Sequence, residues 1–223
     1  TNITSSVNGS SSNIESYGYF EKGTSNFPFE NGIVLSTGNV NSAGNVVNTE
    51  ILAEGDDNWK TDTDLEDALN ISNTINATSV EFDFVSFSNQ IQFNYLLASE
   101  EYYQNNPCEY SDGFAFLIRE AGSSDPYQNI ALIPGTNTPV NTKTIHENIV
   151  GFCPAENEAY FDRLNSGDTN FNGRTKVLTA NAAITPNVKY HIKLVIADQT
   201  DYKFDSAVFL DGNSFNASVD LGP

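Results

Sequence analysis

Between Val188 and Ala197 the residues alternate with a period of two. Val188, Tyr190, Ile192, Leu194 and Ile196 fall on one side of an extended chain, with Lys189, His191 and Lys193 on the other. That is the pattern of a strand with one face against a core. The same period runs through Ser79–Phe87, where Val80, Phe82 and Phe84 share a face. It recurs in Gln90–Ser99, where Ile91, Phe93, Tyr95 and Leu97 do. Gly32–Gly38, Gly113–Glu120, Asn129–Ile133 and Thr175–Ala180 read as further strands, and the Ser88-Asn89 step reads as a hairpin turn. One short helix is expected in Asp64–Asn70, where Leu65, Ala68 and Leu69 keep helical spacing. Many strands and little helix predict an all-β fold: an antiparallel β-sandwich, jelly-roll-like, with long loops and one or two short helices. With no internal repeat, residues 17–223 are expected to form a single sandwich domain, and the Ser/Asn-rich residues 1–16 a linker or an N-terminal strand.

Charge narrows the function classes. Against 29 acidic residues stand 10 basic ones, a formal charge of −19 that opposes compaction by self-repulsion. Bound divalent cations would relieve it. Nucleic acid is a poor partner, because phosphate contacts need clustered Lys and Arg, and anionic membranes are disfavoured for the same reason. No apolar run reaches the length of a membrane span. The chain begins at Thr1 and holds no Met, as expected of an excised domain or a mature product. Cys108 and Cys153 are the only cysteines. Zinc sites want closer spacing, so the expectation is a disulfide in an oxidising compartment, with two buried free thiols as the alternative.

The candidate chemistry is carboxylate chemistry. Asp198, Asp201 and Asp205 follow the long alternating strand directly, and strand ends that gather carboxylates suit a hard cation. Calcium takes about 6–8 oxygen ligands from carboxylates, carbonyls and water. Asp168, Asn170 and Asn172, followed by Gly173, match the front half of a calcium loop. The twelfth position is Thr179 rather than Glu and the sequence after the loop reads as a strand, so the segment is not an EF-hand. Glu100 and Glu101 would point to opposite faces if the strand before them continued. Asp112 stands at the entrance of a strongly apolar strand. Tyr102, Tyr103 and Tyr110 lie between these acidic motifs and offer apolar walls with polar tips for a ligand, or else pack locally. Catalytic motifs are sparse: His146 and His191 are the only histidines, and no G-x-S-x-G or H-E-x-x-H occurs. His191, between two lysines, reads as solvated surface. Glu81 and Asp83 resemble the alternating carboxylates of some jelly-roll glycosidases, without the further acid that such enzymes need.

Seven segments stand together in a familiar order: FEKGTSNFPFENGIVLSTGN (20–39), VEFDFV (80–85), FNYLLASEEY (93–102), DGFAF (112–116), NIALIPGTNTPV (129–140), TKVLTA (175–180) and YHIKLVIADQTDYKFDSAVFLDGNSF (190–215). The chain thereby resembles the choice-of-anchor L family over residues 18–215. The resemblance implies an extracellular module of a large bacterial surface or secreted protein and, by association, a role in adhesion. It carries no ligand and no catalytic residues. DGFAF also resembles a segment of legume-type lectins in which the Asp meets sugar, which makes Asp112 a candidate ligand contact as well as a metal ligand.

Together these readings predict a non-enzymatic, monomeric module that binds Ca2+ and recognises a peptide, a protein or a glycan at the cell surface. The rivals are a glycoside hydrolase with paired carboxylates and a passive spacer stiffened by calcium.

Overall fold

The computed structural model describes residues 5–8, 14–44, 50–56, 59–165 and 167–218. Two antiparallel sheets pack face to face. The first runs β1 (Ser5–Asn8), β4 (Thr74–Val85), β11 (Lys189–Gln199), β6 (Gly113–Glu120), β7 (Gln128–Asn129). The second runs β2 (Tyr17–Glu21), β3 (Asn31–Ser36), β12 (Ser206–Asp211), β5 (Gln90–Ser99), β9 (Gly173–Thr175), β8 (Phe161–Leu164), with β10 (Leu178–Ala183) and β13 (Asn216–Ser218) also paired to β5. The fold is the all-β sandwich that the alternation implies. Of the expected linker or first strand, Ser5–Asn8 pairs with β4, while residues 1–4 and 9–13 lie outside the described residues.

The main core fills the space between the sheets. Ile192, Leu194 and Ile196 of β11 meet Phe93, Tyr95 and Leu97 of β5 there. Phe116 stands at the centre, its ring 4.7 Å from Phe93 and 4.9 Å from Tyr95, both edge to face. Each outer face is also covered in part. Phe27, Phe29, Leu52 and Phe171 pack on the back of the second sheet. Helix α1 (Thr63–Leu69) covers Ala115, Leu117, Val195 and Ala197 on the back of the first. Asp62 caps α1 by accepting from the Leu65 N–H, and Asn70 ends it in the left-handed region at φ 53°.

Five local expectations need correction. Ser88-Asn89 is not a hairpin turn, because β4 and β5 lie in different sheets. The step is an arch between them: Phe84 and Ile91 reach the same core from opposite sides, and period-two patterning cannot distinguish the two arrangements. Thr175–Ala180 is two strands, β9 and β10, rather than one, and Asn129–Ile133 keeps only Asn129 in a strand while Ile130, Ala131 and Ile133 still bury in the core. Lys193 does not face solvent. Helix α1 lies over it, and its ammonium sits 2.7 Å from Asp62 and 2.8 Å from Asp64. Nor is His191 free surface, since its ring nitrogens lie 2.7 Å from Asp83 and 3.3 Å from Glu81.

Cys108 and Cys153 form a disulfide, with their Cα atoms 5.7 Å apart. It ties the turn Asn106–Cys108 to a hairpin around Gly151 and closes a separation of 45 residues. Loop-closure entropy makes such a cross-link worth about 4 kcal/mol. Replacing both cysteines by Ala is therefore expected to lower the unfolding free energy by about 4 kcal/mol, read from urea titration, with a steeper slope because the uncrosslinked unfolded chain exposes more surface.

A buried carboxylate cluster at the strand ends

Three strand ends and one turn bring five carboxylates into the same corner of the sandwich. β11 pairs with β6 up to Ala197 opposite Gly113, so Asp198 and Asp112 come next on neighbouring strands. β12 pairs with β5 from Ser206 opposite Ser99, which places Asp205 beside Glu100, and the Glu100 N–H donates to the Asp205 carbonyl at 3.0 Å. β5 stops at Ser99. Its hydroxyl accepts from the Glu101 N–H at 2.9 Å and starts a single 3-10 turn, Glu100–Tyr102. That turn corrects the expected split of Glu100 and Glu101 to opposite faces, because both side chains are buried.

All five carboxyls are buried, Asp198 completely at 0% exposure. Among the described residues none of the five forms an ion pair with Lys, Arg or His. Burial without a cation favours the neutral form. Burial first, then the charges of Asp112 and Asp205, pushes Asp198 well above the carboxylate range. Burial, then Glu101, does the same to Asp112. Glu100, Glu101 and Asp205 are each pushed up to about 7, again by burial first.

The hydrogen-bond donors around the cluster are neutral. Ser206 hydrogen-bonds the Asp112 carboxyl, and its Oγ lies 2.8 Å from Ser99 Oγ. Asp205 accepts from the Glu54 N–H through both oxygens, at 3.0 and 3.1 Å. Glu100 accepts from the Leu52 N–H at 3.3 Å. Asn76 donates to Asp198 Oδ2 at 2.8 Å. Among the described residues, two buried oxygens of the cluster have no hydrogen-bond partner, Asp198 Oδ1 and Glu101 Oε2. Orphaned carboxylate oxygens at depth are costly unless something fills them.

The backbone is shaped to hold this arrangement. β4 bulges where Asn76 and Ala77 together oppose Ala197, and Asn76 takes φ 55°. The bulge turns the Asn76 amide toward Asp198. Its freed backbone groups are not lost: the Trp59 indole donates to the Ala77 carbonyl at 2.9 Å, and the Ala77 N–H donates to Lys60. Two glycines make room. A Cβ at Gly38 would stand 2.0 Å from Asp205 Oδ2, and one at Gly55 would stand 2.0 Å from the Asn76 amide nitrogen. The loop between Asp198 and Asp205 is bracketed by Thr200 at φ 82° and Phe204 at φ 64°. Left-handed conformations at such residues cost about 1–3 kcal/mol each and gather at functional sites.

The other candidates divide. Asp201 is exposed at the rim, where its charge raises Glu101. Asp168 is not part of the cluster: it pairs with Arg174 at 3.0 Å, and Asp162 holds the same guanidinium at 2.9 Å. The Asn170 amide donates to the Ser42 carbonyl. Only Asn172 touches the cluster, donating its amide to the Glu100 carbonyl at 3.1 Å. The Asp168–Gly173 segment thus fastens the edge of the second sheet, its carboxylate paired with the Arg174 guanidinium. Tyr102 is core rather than a ligand wall: its ring packs on Phe161 and its hydroxyl donates to the Ile145 carbonyl at 2.9 Å. Tyr103, 38% exposed, stacks on Phe204 beside the acidic loop. Tyr110 is 57% exposed. Thr37, whose hydroxyl oxygen accepts from the Ser206 N–H at 3.0 Å, went unread in the sequence, as did Glu54, Asn76, Ser99 and Ser206. Ser99 and Ser206 had a signal, since each adjoins a cluster acid in SEEY and DSAVFL. Thr37 and Asn76 had none.

Among the described residues, no three His, Cys, Asp or Glu side chains stand as a ready set of metal ligands. The arrangement is a buried, uncompensated acidic centre that favours positive charge, a proton or a cation, at Asp112 and Asp198.

An all-β sandwich around such a centre is the class of module described by the fold. The chain belongs to the choice-of-anchor L domain family, whose model matches residues 1–216. A search among curated proteins finds no match. The family points to a surface or secreted protein, and among the described residues no helix is long and apolar enough to cross a membrane.

The raised carboxyls fix the sign of a pH effect. Between about pH 4, where carboxylates of the unfolded chain ionise, and pH 7 or above, the folded form holds protons that the unfolded form has lost. Stability therefore falls as pH rises through that window. The domain, stripped of metal by chelator, is expected to melt several degrees lower at pH 8 than at pH 5.5. A higher melt at pH 8 would contradict the cluster as described.

Proposed function

We propose that this domain is a calcium-dependent recognition module of a bacterial surface or secreted protein, in which a cation at the buried cluster sets the shape of a docking surface for an extracellular peptide, protein or glycan. The observation that carries the reading is the orphaned Asp198 Oδ1, buried beside Asp112 in a cluster without a basic partner. Asp198 and Asp112 would hold the ion, with Asp205 and Glu101 near it. Hydroxyls, carbonyls and water would complete the shell, as calcium permits, so three converging carboxylates are not required. A hard divalent ion would offset the repulsion among these groups and the strain at Thr200 and Phe204. It would also fix the loop that carries Tyr202 and Phe204, next to Tyr103, as the surface a ligand meets. An acidic domain with few cations holds an anionic or diol-bearing ligand more readily through such an ion.

The hydrolase alternative is less well supported. Glu81 and Asp83 are engaged by His191, Lys189 and Lys193 on the back of the first sheet. The passive spacer differs from the leading reading only in having no ligand.

Calorimetric titration of the metal-stripped domain with calcium is the direct test. Uptake is expected, weakened at least tenfold by Asp198→Asn and by Asp112→Asn, and unchanged by Asp168→Asn. Ligation acts on the folded state alone, so calcium at 100 times its dissociation constant should add about 2.7 kcal/mol of stability. No uptake at millimolar calcium removes the proposal. A peptide and glycan array, run with calcium and with chelator, then separates recognition from spacing: uniform absence of chelator-sensitive binding leaves the spacer. Polysaccharide turnover lost on Glu81→Gln would install the hydrolase instead.

A further inference from the structure

Outside the carboxylate corner, one surface feature is built with more care than a solvent loop needs. The chain from His146 to Glu156 folds back on itself as a narrow hairpin, with bridges His146–Glu156 and Ile149–Cys153. Its tip is a tight turn in which the N–H groups of Phe152 and Cys153 both donate to the Ile149 carbonyl, at 3.0 and 3.2 Å. Gly151 takes φ 86°, the left-handed position such a turn requires. The tip presents Val150, 85% exposed, and Phe152, 65% exposed. Single exposed apolar residues are ordinary. Here two of them flank a glycine at the end of a projecting turn whose base is covalently fixed, because Cys153, next to Phe152, is the disulfide partner of Cys108. The roots of the hairpin are fixed too. Ile145 is fully buried, its carbonyl accepts from Tyr102, and His146 is buried with Nδ1 2.7 Å from the Glu147 carbonyl. A rigid apolar knob loses little conformational freedom when it docks.

The surroundings select the partner. Glu147 and Glu156 are exposed on the two arms of the hairpin, Glu158 follows, and Glu109 adjoins the other half of the disulfide. Lys143 is the one Lys or Arg between Glu120 and Asp162. An apolar tip collared by glutamates is complementary to an apolar socket rimmed by Lys or Arg. The same collar opposes an anionic membrane and a second copy of this chain, whose own charge is −19.

We infer that the Val150–Phe152 tip is a protein-docking knob, inserted into an apolar pocket of a partner that carries basic residues around its rim. The knob is independent of the cation cluster and acts whether or not that site is filled.

The probe is a pair of synthetic amphipathic helices, one with a leucine face bordered by lysines and one with the same face bordered by glutamates. Each is titrated against the disulfide-intact domain and against the double variant Val150→Ser, Phe152→Ser. Both substitutions lie at exposed positions, and an unchanged thermal melt checks the fold. The lysine helix is expected to bind the natural domain at least tenfold more tightly than the variant, with salt weakening it, and the glutamate helix to bind neither. Equal binding of the lysine helix to both proteins, or binding to neither, overturns the inference. Two further arms name the rivals. Variant-sensitive sedimentation with phosphatidylcholine vesicles would assign the tip to a lipid surface. A concentration-dependent dimer in sedimentation velocity, lost in the variant, would assign it to self-association. Either result replaces the protein socket.

Discussion

Asp112 and Asp198 leave adjacent strands one step beyond their last shared rung, both are buried, and among the described residues neither forms an ion pair with a lysine or arginine. Like charges across a sheet are unfavourable even at a surface, and at this depth they must be neutralised by protons or by a metal. Much of the corner is arranged around that requirement. The bulge at Asn76 supplies an amide, Gly38 and Gly55 leave space, and the segment that carries Leu52 and Glu54 lays its N–H groups on Glu100 and Asp205. Each donor is neutral. Basic residues are spent elsewhere, Lys193 under α1 and Arg174 at the edge of the second sheet.

That contrast separates two kinds of acidic group in one domain. Where α1 closes over the first sheet, Lys193 meets Asp62 and Asp64, and charge is balanced inside the protein. Where β5, β6, β11 and β12 end, it is not. Burying a charge pair and burying a like-charged cluster differ in what the fold must recruit from outside. The first needs only its own chain. The second must be neutralised by protons or by an ion, and the loop that follows Asp198 carries left-handed residues at Thr200 and Phe204.

The sandwich was legible in the alternation of its long strands, because side-chain period and burial are the same fact in a sheet. Connectivity was less so. Ser88-Asn89 reads alike as hairpin or arch, and Lys193 reads as outward until α1 is placed over it. Asp112, Asp198 and Asp205 could be singled out because each adjoins an apolar strand, and strand ends converge at a sandwich edge. Asp168 looked equally good in sequence. Its loop has the spacing of a metal site, but nothing local announces that Arg174, six residues on, folds back to claim it. Glu100 and Glu101 were misplaced because the 3-10 turn begins at a serine cap, a change of geometry that period-two reading carries straight through. Asn76 was invisible, since its role comes from a bulge set by pairing with β11.

The most direct measurement is a crystal structure grown in abundant calcium, with anomalous scattering used to locate the ion. The account predicts a cation about 2.3–2.6 Å from oxygens of both Asp198 and Asp112, with Asp198 Oδ1 no longer orphaned. A well-ordered corner with no anomalous peak, its two aspartates joined by a shared proton, would contradict it.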